Sequence, residues 1–168
     1  MSKQLIFLVE TNRSCKSDWM YIKSTLDYYY GVRSDIHYEV IYLDGKTKFH
    51  TKDKQIKKLR NQFRIGVSYV FVCIDLDHYQ SNSADQNLND KIERYCNDHC
   101  YDLIWFNRNI EHVYLNDENV ESKKKKEKSE MFMRKNMIRN VPNEKLNCDK
   151  LIPGRSNILA VMDKYFEK

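Results

Sequence analysis

Glycine and proline are scarce in this chain, at four and two among 168 residues. That excludes collagenous, proline-rich and linker-like classes, and leaves the turns to Asn, Asp and Ser. Long apolar runs are also missing. None approaches the ~20 residues that cross a bilayer. The first ten residues hold a short apolar run ending in an acid, without a small-residue cleavage site, so no signal peptide is expected. Cysteine is present five times, an odd number without an export signal. Free thiols in a reducing cytoplasm are the simplest expectation.

What is there describes one ordinary globular domain. Hydrophobic residues make up 41% and charged residues 32%. Tyr is abundant, with 12 copies against 7 Phe and 2 Trp. Lys and Arg total 29 against 24 Asp and Glu, a formal charge of +5. That excess favours a polyanionic partner weakly and serves solubility equally well.

Apolar runs and helical periodicity alternate along the chain. Gln4–Val9 reads as a buried strand closed by Glu10. After a polar loop, Asp18 is placed to cap a helix carrying Trp19, Ile22, Leu26 and Tyr29, which Gly31 ends. Tyr38–Leu43 is a second strand, and Thr51–Arg64 an amphipathic helix. Val67–Ile74 is the third strand, running into Asp75-Leu76-Asp77-His78. An Asn/Ser-rich stretch precedes a helix over about Asp90–Asp98; Tyr101–Phe106 is a fourth strand, and Asn107–Leu115 a short helix. Beyond it, Glu121–Arg139 reads as a charged helix, Asn140–Pro153 as loop and Ser156–Phe166 as a closing helix. The alternation predicts an α/β fold with a mainly parallel four-stranded sheet flanked by helices. Residues 1–115 form its core, and residues 116–168 a helical C-terminal extension packed on it within one structural domain.

Right-handed crossovers bring every strand's carboxyl end to one edge of such a sheet, where open α/β sheets bind their ligands. Glu10 stands at the end of the first strand, and Asp75 and Asp77 at the end of the third. If those strands are neighbours, three carboxylates converge, and they repel one another unless protons or a cation intervene. Mg²⁺ suits oxygen ligands of this kind, and supports phosphodiester cleavage by activating a nucleophile and neutralising developing charge. A lone Asp-x-Asp is more often a solvated strand end; the first-strand Glu raises the metal reading above it.

The pattern Leu5-Ile-Phe-Leu-Val-Glu10 with Val70-Phe-Val-Cys-Ile-Asp75-Leu-Asp77 resembles the Toprim domain of topoisomerases, bacterial primases, overcoming-lysogenization-defect nucleases and several phage-defence proteins. Within that family the chain further resembles the small RloB-like proteins. An acid and an aromatic early in the first helix are echoed by Asp18-Trp-Met-Tyr21. An acid after the fourth strand is echoed by Glu111 in Ile104-Trp-Phe-Asn-Arg-Asn-Ile-Glu111-His112. The resemblance covers residues 4–115. It implies a Toprim-like, Rossmann-like fold and a nuclease dependent on Mg²⁺ or Mn²⁺, with Glu10 as general acid or base or ligand and Asp75 and Asp77 as ligands. It also implies an effector of bacterial or phage-borne defence by abortive infection, working beside an ABC-type ATPase and acting on DNA or RNA. Thr11 stands where the family usually has Gly after the first Glu, and the loop to Asp18 is longer than usual. These departures favour a second reading, a catalytically weak docking or regulatory module; a third is a nucleotide-binding regulator that uses the same sheet edge.

Other residues carry lesser expectations. His78 follows the acidic pair and is a candidate to position water or contact the scissile phosphate, or else an exposed loop residue. Lys46 and Lys48 lie in a loop on the carboxylate edge and are candidates for phosphate contact, with Arg108 a further one. Lys123–Lys126, flanked by Glu121, Glu127 and Glu130, reads chiefly as intrahelical pairing. Cys96-Asn-Asp-His99-Cys100 lacks a second ligand pair and reads as small core residues before it reads as zinc.

Overall fold

The computed structural model describes residues 1–166. Four parallel strands form the sheet: β1 (Ser2–Val9), β2 (Ile36–Tyr42), β3 (Gly66–Asp75) and β4 (Asp102–Phe106), in the order β2-β1-β3-β4. β1 and β3 are neighbours, with Leu8 opposite Val72. The strand order reverses between them, which makes their carboxyl ends the switch point of a Rossmann-like α/β fold.

Near-continuous apolar strands follow from burial on both faces. Residues of alternate parity feed two cores. Leu5, Phe7, Val9, Phe71, Cys73, Ile104 and Phe106 face one side, where they meet α1 (Ser17–Tyr30), α4 (Ile110–Leu115) and α5 (Ser122–Arg134). Ile6, Leu8, Val70, Val72, Ile74 and Trp105 face the other, under α2 (Asp53–Gln62) and α3 (Ser83–His99). Phe7 and Phe71 stack across β1 and β3 with ring centroids 4.9 Å apart. Burial of such a side chain stabilises the fold by ~1.5–3 kcal/mol.

Helix boundaries depart from the sequence reading in four places. α1 begins at Ser17 behind a left-handed Lys16, and Asp18 lies in its first turn without capping it. α3 starts seven residues earlier than the apolar period indicates, because Asn82 Oδ1 accepts the N–H groups of Ala84 and Asp85. The charged helix stops at Arg134; left-handed Asn136 precedes a 3-10 turn, Met137–Asn140. The closing helix shortens to α7 (Ile158–Met162), after a one-turn α6 (Asn143–Leu146).

The segment after residue 115 enters the core. Phe132, Ile138, Leu146, Ile158, Met162 and Phe166 share one buried cluster with Leu5, Phe7 and Phe71. Phe106 at the end of β4 forms an antiparallel bridge with Ser156. Among the described residues, no helix is long and apolar enough to cross a membrane.

Candidate functional site

Glu10 follows the last residue of β1, and the register sets it beside the end of β3. Its Oε2 accepts the backbone N–H of Asp75 at 2.8 Å. Asp75, the last residue of β3, turns Oδ1 to the N–H of Ile110 at 2.9 Å, the first residue of α4. The same helix carries Glu111, only 1% exposed, whose Oε1 has no hydrogen-bond partner. From α1, Asp18 is 7% exposed and accepts the N–H of Thr11 through Oδ2 at 3.2 Å. One edge of the sheet therefore gathers carboxylates from β1, α1, β3 and α4.

Burial dominates the electrostatics. It pushes the Glu10 carboxyl up to about 8; Asp18 and Asp77 add to the rise, while Lys46 and the Asp75 N–H oppose it. Asp75 is raised well above the ordinary Asp value by burial first, then by Glu10, Asp18 and Glu111. Burial and then Glu111 lift Asp18 to about 6. Beneath them the buried Tyr21 hydroxyl has no partner and is held above its ordinary range by burial, Glu111 and Asp18. Without a cation, Glu10 holds its proton through neutral pH.

Two lysines answer this charge. Lys125 of α5 brings its ammonium to 3.7 Å from Glu111 Oε1. Burial works against its charge, yet Glu111, Asp75, Asp18 and Glu10 together outweigh it and raise its pKa. Lys46 is 8% exposed and turned inward, with Nζ at 2.6 Å from Asp77 Oδ2, 2.7 Å from the Asp75 carbonyl and 3.0 Å from Asn89 Oδ1. Where the sequence offers Lys46 for phosphate contact, its three protons here meet three oxygens of the protein.

Of the residues singled out from sequence, Glu10, Asp75 and Glu111 meet, and Asp77 lies beside them. Asp77 departs from an extended Asp-x-Asp: it is left-handed at φ 55°, its N–H donating to the carbonyl of the equally left-handed Arg108. Lys48 is half exposed and pairs with Asp44 at 3.6 Å. Arg108 Nη1 donates to Glu118 Oε2 at 3.0 Å and lies 3.5 Å from His78 Nδ1. His78 and Arg108 line a cavity of about 170 Å³ that reaches Asp77. A larger cavity, about 470 Å³, lies between α1 and α7, lined by Tyr30, Arg33, Asp163 and Phe166, beside the opposite edge of the sheet. Two further residues join the site: Asp18, which the sequence offers as a helix cap and as an echo of the family's first-helix acid, and Lys125, from a run that reads as intrahelical pairing.

Among the described residues, no group of three or more His, Cys, Asp or Glu side chains is arranged to hold a metal ion. Mg²⁺ asks for less: one or two carboxylates, with waters and phosphate oxygens completing its shell. Glu10 and Asp75 supply two hard oxygen donors, and Glu111 Oε1, which has no hydrogen bond and faces Lys125, lies in the same group. The donor chemistry fits a hard divalent cation. Comparison of the chain with family models, with curated proteins and with solved structures gives no match in any of the three.

Proposed function

We propose that this protein is a nuclease of Toprim type, dependent on Mg²⁺ or Mn²⁺, that hydrolyses phosphodiester bonds in DNA or RNA. The observation that carries the reading is the hydrogen bond between Glu10 and the Asp75 N–H, which joins the ends of β1 and β3 where the carboxylates of Asp18 and Glu111 also gather. A divalent ion held by Glu10 and Asp75 would supply charge neutralisation at the scissile phosphate and a more acidic water.

The chain's own groups have matching tasks. In the metal-free chain burial raises Glu10 to about 8, so an ion bound there would displace its proton. Its Oε2 is fixed by the Asp75 N–H, which leaves Oε1 to hold or give up the proton. Asp18 and Glu111 keep the surroundings negative, so that a cation is favoured over further protons as pH rises. Lys125 offsets part of that charge from the extension. Lys48 and Arg108 carry positive charge that attracts a polyanion, and His78 lines the cavity beside Arg108. The role in abortive infection and the ATPase partner rest on the family resemblance, and the cytoplasmic setting on the cysteine count.

The docking reading draws on one observation: Glu10 and Asp75 both bond to the protein's own backbone N–H groups. Incubation of the purified chain with plasmid, single-stranded DNA and tRNA in Mn²⁺ decides between the two. The nuclease reading predicts cleavage that chelation abolishes, and that Glu10→Gln and Asp75→Asn each reduce by ~100-fold or more. Intact substrates throughout contradict it; cleavage that survives both substitutions points to a contaminant.

A further inference from the structure

Asp77 is set apart from the other acids. β3 ends at Asp75, Leu76 is buried, and the left-handed turn at Asp77 breaks the strand alternation that would have aligned the two aspartates. Its carboxylate meets Lys46, the first residue of the 3-10 helix Lys46–Lys52 after β2. A left-handed Gly45 at φ 119° turns the chain inward there, and its N–H donates to the Glu10 carbonyl at 3.0 Å. The loop bearing Lys46 is thus tied to the end of β1.

The ammonium that results is coordinated much as a cation would be. Its three oxygens come from the Asp75 backbone, the Asp77 side chain and Asn89 on α3. Asn89 is oriented in turn, because its Nδ2 donates to the Leu76 carbonyl at 3.0 Å. The Lys46 side chain is 7% exposed, against 42% for Asp77. A lysine this deep, with every proton matched to an oxygen, is a fixed part of the site. A divalent ion drawn to Asp77 Oδ2 would stand beside the full positive charge of a buried lysine 2.6 Å from that oxygen.

We propose that Lys46 is the resident counter-cation of Asp77 and stands in place of a second divalent ion. Resting on the metal-dependent reading above, this assigns a single divalent ion to Glu10 and Asp75. Asp77 is then a positioning residue: through Lys46 it fixes the Asp75 carbonyl, and with it the end of the strand from which the Asp75 carboxylate projects.

Calorimetric titration of the full chain with Mn²⁺, with bound Mn²⁺ counted by electron paramagnetic resonance, tests the assignment. One ion per chain is expected. Asp77→Asn should keep Mn²⁺ affinity within about threefold, whereas Glu10→Gln and Asp75→Asn should each lose about tenfold or more. Lys46→Met frees the Asp77 carboxylate and should admit a second ion, and Lys46→Arg should return the count to one. Melting curves without metal show which variants fold; if Lys46→Met does not, the comparison of Asp77→Asn with Asp75→Asn decides alone. Two ions on the wild-type chain, or an Asp77→Asn loss equal to that of Asp75→Asn, overturns the assignment of Lys46 while leaving the metal-dependent reading intact. A wild-type chain that binds no Mn²⁺ overturns that reading and this assignment together.

Discussion

At the scale of single residues, Glu10 links the site to the stability of the chain. Its folded pKa is about 8 against an ordinary 4.5, so the folded state binds the extra proton between those values. Stability then falls as pH rises from about 4.5 to about 8. Asp18 acts in the same direction from 3.8 to about 6, and Asp75, raised by burial, adds to it. The metal-free chain should therefore melt at lower temperature at pH 8 than at pH 5. Glu10→Gln keeps an oxygen for the Asp75 N–H and carries no charge. It should melt higher than wild type at pH 8, by on the order of a few kcal/mol of stability, with the gap shrinking towards pH 5. Calorimetric melting of both chains across that range checks it, and a wild-type chain that gains stability with rising pH would contradict it. Glu10 and Asp75 were legible as strand-end acids. Lys125 was not, although it shares a helix face with Ser129 and Phe132, both fully buried. The spacing carried the signal, but four consecutive lysines obscured it.

At the scale of elements, α4 shows how little chain holds half of the site. Its six residues present the Ile110 N–H to Asp75 and the Glu111 carboxylate to the cluster. Asn109 anchors it at both ends of its amide: Oδ1 accepts the His112 N–H at 2.8 Å, and Nδ2 donates to the Glu118 carbonyl at 2.9 Å. Asn109→Ala should cost about 1 kcal/mol of stability. Cleavage should fall by more than that loss explains, because the donor to Asp75 is no longer held in place. Melting and Mn²⁺-dependent cleavage measured on the same preparation separate the two effects; parallel, small losses would assign α4 a structural role alone. Helix existence was readable from apolar spacing, while helix ends were set by single polar contacts. Asn82 moved the start of α3 into a stretch with no apolar period, and Asn136 cut α5 short. Such contacts depend on backbone geometry that residue type alone leaves open.

At the scale of the whole molecule, the sheet was the most legible feature. Alternating runs and right-handed crossovers leave few arrangements, and the observed order places β1 beside β3. The depth of the C-terminal segment was harder to read. Phe132, Ile138, Leu146 and Phe166 are scattered among charged and loop-forming residues, and only the packed fold shows them closing the core over Phe7 and Phe71. That packing carries Lys125 to Glu111, so the extension contributes charge as well as cover. The central claim is that this edge of the sheet, where β1 and β3 end, holds a divalent ion. Anomalous diffraction from crystals soaked in Mn²⁺ tests it directly. A single peak touching Glu10 and Asp75, with Lys46 still bound to Asp77, is the predicted result; a soaked crystal with no peak at those carboxylates would contradict the account.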